Sequence, residues 1–483
     1  MQDQGARSRL RRWIKAIVIG VLSSAWFVAW VSPSTSVEFD LDEGPVVNGV
    51  CPPLDLPDAA WESIAFSSFP DCLQSDQGSQ AHSFRIRCDP QVSPDGYLLG
   101  FSHFTRSRDT ASKRGYTQRS LVILSHRQFP ALFTVVASKI GQVYELHGLP
   151  ALEASCQNIA NWPDLCPGAA LMLGVAGAVL RVELPHSDDE QQFAETSSFG
   201  ARFDPRSHIL ASFTPFTPAP IELFGATLSH LWSIWECLIL CNEGLLLFGT
   251  SPAATSQAAW WFRDLLRPIP LAHDIRPYFT LQDQDHSRLV NKMPASPGLI
   301  LGVTNPFFER LCQHWPHVLS LAYVCDGSRP KSTTDSHVIA GPPPGWKTTH
   351  KRYISKDRSL LKRVEDLSRG TQNDKLEASL AVLRHFHSRT ASFLVPLNRY
   401  LQTLIPPPSE LRLLSPEERR LKPFNNADFF ASLKKPGAAS PLPFKSSGKR
   451  TEFYERWFRS PAFGVWLGEQ DRVVREVLER GRG

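Results

Sequence analysis

Two continuous apolar runs in the middle of the chain restrict its fold more than any other sequence feature. The runs are GLLLFGT, Gly244–Thr250, and GLILGVT, Gly298–Thr304. An uninterrupted apolar strand is typical of a parallel sheet that is covered on both faces. The helices predicted around the two runs span 227–241, 253–266 and a segment that begins at Asn305. This alternation predicts a central α/β module over 208–345 with a mainly parallel sheet.

The residues before this module predict a separate α+β unit over 13–185. Short runs with period-two alternation indicate antiparallel strands, namely Glu62–Asp71, His82–Pro90, Gly96–Asp109 and Arg114–Ser125. The period then changes to that of an amphipathic helix from about Pro130 to Tyr144. A second helix is predicted from Pro150 to near Trp162, and Ala178–Pro185 is predicted to close the unit as a strand.

The first residues of the chain are basic and precede an uncharged apolar run. Residues 1–12 are interpreted as a basic tail, and the alternation in Arg11–Ile19 predicts the start of a strand. Residues 16–31 are marginal as a membrane span, because 16 helical residues reach only about 24 Å. If residues 20–36 are removed, the flanks join into one strand and turn. We therefore interpret 20–36 as an atypical insert.

Two further boundaries are predicted from composition. Residues 186–207 are polar and acidic without periodicity, which is typical of a linker. The proline-rich stretch Ala340–Trp346 ends the central module. Beyond it, residues 346–483 predict an all-helical module, in which Pro396 is expected to kink or divide a long helix.

Charge and cysteine usage exclude some classes of function. The net charge of +5 over 483 residues is small, so no nucleic-acid partner is expected. Basic residues do gather between Lys347 and Arg369, which fits either a solvated helix face or a contact with an acidic lipid or partner. Nine irregularly spaced cysteines do not form a disulfide framework. Together with the lack of glycosylation sequons, this favours the cytoplasm.

The sequence lacks the usual motifs of enzymatic chemistry. There is no GxGxxG, GxxxxGK[ST], GxSxG or HExxH pattern, and neither a cofactor nor a metal is expected. Charged residues do cluster in HDIRPYFTLQDQD, where Asp274, Asp283 and Asp285 lie close in sequence to Arg276. An ion pair within the protein is the simplest interpretation of this cluster, a partner contact is the second, and acid–base catalysis is the least supported.

Several long blocks resemble one family over nearly the whole chain, from Trp13 to about Leu467. The blocks, in chain order, are LGFSHFTRSRDTASKRGYTQRSLVILS, LWSIWECLIL, HDIRPYFTLQDQD, GLILGVTNPFFERLCQHWPHVL, DRSLLKRVEDL, FLVPLNRYL and FYERWFRSPAFGVW. Together they are similar to the DENN-domain proteins of subfamily six. The resemblance implies a longin-like N-terminal module, a central DENN module and a helical C-terminal module.

The resemblance also implies guanine-nucleotide exchange on a Rab-family small GTPase, in a cytoplasmic protein recruited to endosomal or other vesicle membranes. We expect the GTPase to bind across the face shared by the first two modules. Its candidate contacts are Arg114, Tyr116, Asp274, Arg276, Tyr278, Asp283 and Asn305. Three alternatives remain open, namely a DENN-fold scaffold without exchange activity, a regulator that assists GTP hydrolysis, and a protein anchored in the membrane through residues 16–31.

Overall fold

The described residues of the computed structural model form a mixed α/β protein with three sheets and a helical C-terminal region. The structure describes residues 2–22, 44–71, 78–108, 116–185, 207–321, 341–411, 413, 415, 419–435 and 442–480. The predicted linker up to residue 206, residues 23–36 of the predicted insert, and Arg114 lie outside the described residues.

A five-stranded antiparallel sheet forms the base of the N-terminal part. Its strands are β1 (Ala16–Leu22), β2 (Val46–Cys51), β3 (Gly78–Arg87), β4 (Tyr97–Arg108) and β5 (Tyr116–Ser125). Their order across the sheet is β2-β1-β5-β4-β3, with every neighbouring pair antiparallel. The strands predicted from His82, Gly96 and Arg114 are therefore confirmed.

The sequence prediction was wrong for Glu62–Asp71, which does not form a strand. Helix α2 spans Asp58–Ser67, and its buried residues include Ala60, Ser63, Ile64 and Ser67. These positions are spaced three and four residues apart, which places them on one helical face. The small serines hid this face, because the alternation of apolar and polar residues also fits period two.

The basic N-terminal residues are not an unstructured tail. Helix α1 spans Gln2–Trp13, and its apolar residues Leu10 and Trp13 are buried. The ring of Trp13 meets Trp162 edge to face, with 5.1 Å between ring centroids. Two buried residues are therefore enough to attach a helix whose other side chains are mostly polar.

Strand β1 extends into the residues that were predicted to be an insert. Gly20 pairs with Ser120 of β5, and the pairing continues to Leu22 opposite Gln118. The first seven residues of the apolar run 16–31 thus belong to a sheet rather than to a membrane helix. Among the described residues, one stretch, Pro220–Leu240, is long and apolar enough to span a membrane, and 72% of its 18-residue window is buried in the protein.

Helices and a small sheet complete the N-terminal part. The predicted helices are confirmed as α3 (Pro130–His147) and α4 (Leu149–Ala160). The small sheet contains β6 (Ala170–Val175), β7 (Ala178–Glu183) and β8 (His208–Leu210). Strand β7 was predicted, whereas β6 was not. Strand β8 follows the predicted linker and pairs in parallel with β7, so the chain returns to the first unit before it enters the central one.

The central sheet is mainly parallel, as predicted. Its strands are β9 (Leu245–Phe248), β10 (Asp274–Arg276), β11 (Leu299–Val303), β12 (His317–Ser320) and β13 (Gly345–Thr348). The order is β10-β11-β9-β12-β13, and β13 alone among these is antiparallel to its neighbour. All residues of β9 and β11 are buried, which explains their continuous apolar sequence. Strand β13 crosses the predicted boundary at residue 345.

Helix α7 (Pro252–Leu265) lies between the N-terminal and central sheets. Its adjacent tryptophans face different cores, since Trp260 packs in the N-terminal core and Trp261 in the central one. The remaining helices of this region are α5 (Pro220–Phe224), the 3-10 turn Gly225–His230, α6 (Leu231–Leu240), α8 (His286–Leu289) and α9 (Phe307–Leu311). Both sheets are therefore packed against one helix.

The described C-terminal residues beyond β13 are mainly helical, as predicted. The helices are α10 (Arg358–Ser368), α11 (Gln372–Leu404), α12 (Pro408–Leu411), α13 (Asn426–Ser432), α14 (Ser447–Phe458) and α15 (Pro461–Arg480). Helix α11 continues through Pro396, so the proline does not divide it. One hydrophobic core joins this region to the central sheet, and Trp235 of α6 donates a 2.9 Å hydrogen bond to Thr390 of α11.

Candidate functional site

The segment HDIRPYFTLQDQD lies along the contact between the N-terminal and central sheets. At one end, Gln284 donates from its side chain to the carbonyl of Arg87 at 2.7 Å. In the middle, the ring of Tyr278 meets His82 of β3 edge to face at 5.3 Å between centroids. The segment therefore lies against β3. We call the ion pairs around Arg276, near Arg87, the charged cluster, and the hydrogen-bonded groups around the Tyr278 hydroxyl the polar corner.

Arg276 is the centre of the charged cluster. Its Nε donates to Asp274 Oδ1 at 2.8 Å, and its Nη2 donates to Asp285 Oδ2 at 2.9 Å. The side chains of Arg276 and Asp285 are both fully buried. A planar guanidinium can bind two carboxylates at once, which offsets part of the cost of burying these charges.

The N-terminal sheet supplies the other half of the cluster. Arg85 Nη1 lies 3.1 Å from Asp274 Oδ1, and Arg87 Nη2 lies 3.1 Å from Asp285 Oδ1. The guanidinium carbons of Arg85 and Arg276 lie 3.9 and 4.8 Å from the centroid of the Tyr97 ring. Each arginine thus gains an aromatic contact as well as an ion pair. Arginines of the N-terminal sheet are thus paired with aspartates of the central part.

Asp283 and Asp285 have opposite pKa shifts. Burial raises the pKa of Asp283 to about 6, and its carboxylate accepts a 2.8 Å hydrogen bond from the Asp285 amide. Burial alone would also raise the pKa of Asp285, but hydrogen bonds and charge from Arg288 and Arg276 hold it below its usual value. Asp285 is therefore the ionised partner of the arginines, whereas Asp283 is stabilised in its protonated form.

The polar corner is formed around Tyr278, whose side chain is buried. The Tyr278 hydroxyl donates to the Phe69 carbonyl at 3.2 Å and accepts from the Asp71 amide at 3.1 Å. The Thr304 hydroxyl, just after β11, donates to the Asp71 carboxylate. The end of α2 is therefore fixed to the carboxyl edge of the parallel sheet, where ligand and partner sites of α/β folds commonly lie.

Asn305 follows Thr304 at this edge and is partly exposed. Its Oδ1 accepts a 3.0 Å hydrogen bond from the Phe307 amide, two residues on, which holds the turn that leads into α9. Asn305 was predicted to be the N-cap of this helix, but Pro306 occupies that position. The Phe307 side chain, by contrast, is 47% exposed. The corner thus presents an aromatic ring next to polar groups.

Curated relatives of the chain are found over nearly its full length. It is 31% identical over 492 residues to Protein DENND6B of Homo sapiens, covering 94% of this chain and 81% of the relative. It is 30% identical to Protein DENND6A of Gallus gallus and 26% identical to the DENND6 homolog of Dictyostelium discoideum, covering 81% and 70% of those proteins. No family model matches the chain.

The chain belongs to the DENN-domain proteins of subfamily six. The resemblance to this family is thereby confirmed, since the match covers 94% of the chain. These relatives establish the family. The roles of individual side chains in this DENN-domain chain must come from their positions in its structure.

The structure separates the residues that the sequence suggested as GTPase contacts. Arg276, Tyr278 and Asp283 are buried, and the hydrogen-bonding groups described above are directed within the chain. Asp274 is 28% exposed in its side chain, but it lies at the start of β10, opposite the first residue of β11. Asn305 follows the end of β11, so the two exposed candidates lie at opposite edges of the sheet.

Tyr116 lies at one end of the N-terminal sheet. Tyr116 begins β5 opposite Arg108, and two residues earlier in β4, Arg106 pairs with Gly78 at the start of β3. Because Arg87 at the end of β3 lies at the charged cluster, the start of β3 points toward the polar corner. The Tyr116 end of the sheet is therefore on the side of Thr304 and Asn305.

Sequence reasoning missed a buried carboxylate that attaches the C-terminal region. Glu236 is fully buried in α6 and accepts hydrogen bonds from the amides of Tyr353 and Ile354, at 2.8 and 2.9 Å, and from His350 Nε2 at 2.8 Å. The available signal was a lone glutamate on an otherwise apolar helical face, since a buried carboxylate requires partners. Among the described residues, no group of three or more potential ligands could hold a metal ion.

Proposed function

We propose that this protein is a guanine-nucleotide exchange factor for a Rab-family small GTPase. The observation that carries the proposal is its membership of the DENN family, supported by a match to DENND6 proteins over 94% of the chain. The proposed organisation has a longin-like module over 13–185, a DENN module over 208–345 and a helical module after it. In this scheme the protein is a GTPase regulator without covalent chemistry of its own.

The proposed GTPase surface spans the polar corner and the adjoining end of the N-terminal sheet. It contains Asn305, Phe307 and the β4–β5 hairpin end that includes Tyr116, with Arg114 as a further candidate. An exposed aromatic ring surrounded by polar groups is a common anchor of protein interfaces. Both sheets contribute to this surface, so a GTPase that contacts them together requires their relative position to be fixed.

The buried charged cluster supports this requirement. Arg85 and Arg87 of the N-terminal sheet pair with Asp274 of β10 and with Asp285 of the segment that follows β10. Trp260 Nε1 of α7 donates to Ser83 Oγ of β3 at 2.7 Å. A surface whose side chains are already held in one conformation loses less entropy when a partner binds. In our proposal Arg276 therefore acts by positioning the surface and not by touching the GTPase.

Exchange follows from differential binding. If the protein binds the nucleotide-free GTPase more tightly than the GDP-bound form, linkage requires that GDP be bound more weakly in the complex. The switch loops, which phosphate and magnesium hold in place, are the elements to be displaced. A thousandfold acceleration of release needs a barrier lower by about 4 kcal/mol, which a protein interface of ordinary size can supply.

The proposal is tested by comparing affinities for two forms of the same GTPase. Each member of a panel of purified Rab proteins would be prepared nucleotide-free and GDP-bound, and binding would be measured by surface-immobilised titration. We expect at least one Rab for which the nucleotide-free form binds at least a hundredfold more tightly. Equal affinity of both forms for every Rab that binds would instead indicate a scaffold.

We also propose that the protein is cytoplasmic and is recruited peripherally to vesicle membranes. The proposal is supported by the strand structure of Ala16–Leu22, which places the start of the apolar run 16–31 in a sheet. After carbonate extraction of cell membranes, the protein is expected in the soluble fraction. Its retention in the membrane pellet would support an anchor through the apolar run.

A further inference from the structure

Two cysteines that are distant in sequence meet at the edge of the N-terminal sheet. Cys51 is the last residue of the edge strand β2, and Cys156 lies in α4. Their sulfur atoms are 3.3 Å apart, and the Cys156 thiol is also 3.5 Å from the Cys51 carbonyl oxygen. The distance between the sulfurs is shorter than an ordinary contact between two unbonded sulfur atoms. The pair is therefore brought together by the fold and not by local sequence.

The other described cysteines show no comparable arrangement. Cys237 and Cys241 are close in sequence, but burial raises the pKa of both thiols, to about 12 for Cys241. Both are therefore poor nucleophiles. Cys312 is likewise buried, and burial raises its pKa to about 12. Cys166 is exposed. Among the cysteines in the described ranges, Cys51 thus combines a nearby thiol, that of Cys156, with partial access to solvent.

We propose that Cys51 and Cys156 form an oxidative modification site that closes to a reversible disulfide when the protein meets a hydroperoxide. This inference does not depend on exchange activity. It adds a covalent connection between the edge strand of the first sheet and the helix that covers it. Disulfides in cytoplasmic proteins are usually transient and redox-sensing, which is the behaviour the proposal assigns to this pair.

The environments of the two sulfurs assign their roles. Cys51 is partly exposed, whereas Cys156 is buried. The hydrogen bond from the Cys156 thiol lowers the pKa of Cys51 and outweighs burial and the charge of Glu153, which raise it. The same hydrogen bond raises the pKa of Cys156. Cys51 is therefore the more accessible nucleophile, and Cys156 is placed to react second.

The reaction balances with the hydroperoxide as the only oxidant. The Cys51 thiolate attacks one peroxide oxygen, the O–O bond breaks, and Cys51 becomes a sulfenic acid while water leaves after protonation. The Cys156 sulfur then attacks the Cys51 sulfur, the S–O bond breaks, and the Cys156 proton leaves with the hydroxyl as a second water. Two thiols and one hydrogen peroxide thus give one disulfide and two waters.

Closure requires only a small movement. A disulfide bond is about 2.05 Å long, so the sulfurs must approach by roughly 1.2 Å, which rotation of the two side chains and a small shift of the edge strand can provide. The closed loop would enclose α2, α3 and strands β3 to β5. Because a crosslink across so long a loop restricts the unfolded chain, the oxidised protein is expected to be more stable.

The test uses the full-length reduced protein and hydrogen peroxide at low molar excess. After oxidation, free thiols are alkylated and the protein is digested without reductant. Mass spectrometry is expected to show a linked pair of peptides containing Cys51 and Cys156, lighter by two hydrogens than the reduced peptides together. Dithiothreitol should restore alkylation of both. Full alkylation of both thiols after peroxide treatment would overturn the proposal.

Matched variants separate this pair from general oxidation. Cys51→Ser and Cys156→Ser should each abolish the linked peptide, whereas Cys166→Ser should leave it unchanged. Peroxide should raise the Tm of the wild-type protein and of Cys166→Ser by several degrees, and it should not raise the Tm of Cys51→Ser. Equal shifts in all three proteins, or links that mainly involve Cys166, would contradict a specific site.

Discussion

Arg276 and Asp285 form an ion pair of 2.9 Å between two side chains that are both completely buried. The pair lies between the two sheets rather than on the surface. Since Arg87 of the N-terminal sheet also contacts Asp285, at 3.1 Å, the stability of the pair depends on both sheets. The residues that first suggested a partner contact are therefore part of the internal connection on which the proposed surface depends.

Removing the arginine should strongly destabilise the protein. Arg276→Met keeps much of the side-chain volume but leaves Asp274 and Asp285 without their central cation, at an expected cost of about 3–5 kcal/mol in the free energy of unfolding. Urea denaturation measures this change. The control is Arg363→Gln, because the Arg363–Glu377 pair is largely exposed and its loss should cost less than about 1 kcal/mol. Similar, small effects of both substitutions would show that the buried cluster contributes little.

Asp283 should make stability depend on pH in a defined direction. Its pKa in the folded protein is raised to about 6, whereas the unfolded value is about 3.9. The folded state therefore binds the proton more tightly. Protonation of Asp283 therefore adds to the free energy of unfolding. This contribution is fully present below about pH 4 and is lost as the pH rises through about 6.

The substitution Asp283→Asn isolates this contribution, because an amide oxygen can still accept the hydrogen bond from the Asp285 amide. The variant should be more stable than the wild type by about 1–3 kcal/mol at pH 7.5 and nearly equal to it at pH 4. Denaturation curves at both pH values provide the comparison. A difference that does not change with pH would contradict the raised pKa.

Glu236 should be essential for attaching the C-terminal helices. Glu236→Leu removes the acceptor of two backbone amides and of His350, which leaves buried donors without partners. We expect a loss of about 3–5 kcal/mol in the free energy of unfolding, measured by chemical denaturation. Glu377→Gln, at a 40% exposed side chain, is the control and should change stability little. Wild-type stability of Glu236→Leu would show that these hydrogen bonds are replaceable.

The polar corner should affect GTPase activation without affecting folding. Phe307→Ala removes a half-exposed ring, so the Tm should change little, whereas the loss of an interface anchor of about 2 kcal/mol or more should slow GDP release at least thirtyfold. Val477→Ala, at a 62% exposed position of α15, is the matched control. Equal release rates for the two variants would remove Phe307 from the proposed surface.

Asn305 offers a second test because its hydrogen bond with the Phe307 amide can be kept. Asparagine and aspartate both accept such a bond from the amide two residues on, so Asn305→Asp should preserve the turn before α9 while adding a negative charge to the surface. We expect an unchanged Tm and an exchange rate that is altered by about tenfold or more. An unchanged exchange rate would assign Asn305 to this turn alone.

The sequence predicted those elements whose pattern reflects local burial. Leu245–Phe248 and Leu299–Val303 were found as parallel strands because their residues are buried on both faces. Helix α2 was mistaken for a strand because its buried face contains serines. Helix α1 was interpreted as a tail because most of its residues are polar, and its buried residues Leu10 and Trp13 do not form a clear apolar pattern. Local periodicity fails where a few contacts from distant residues determine the structure.

The candidate site shows the same limit more clearly. The sequence placed Asp274 and Arg276 together, and the structure pairs them. It gave no sign of Arg85, which contacts Asp274 from 189 residues away. Nor could it show that Arg276 is buried, because an arginine between two aspartates is equally common on a surface. Arg276 is buried because the two sheets pack against each other, and the local sequence does not show this contact.

The rate of GDP release is the most direct test of the central claim. Each purified Rab would be loaded with fluorescent GDP, and release would be followed after excess unlabelled nucleotide is added, with and without this protein. We predict at least a hundredfold faster release from at least one Rab, with a rate that increases with the protein's concentration. If every Rab that binds the protein releases GDP at its intrinsic rate, this protein is not an exchange factor.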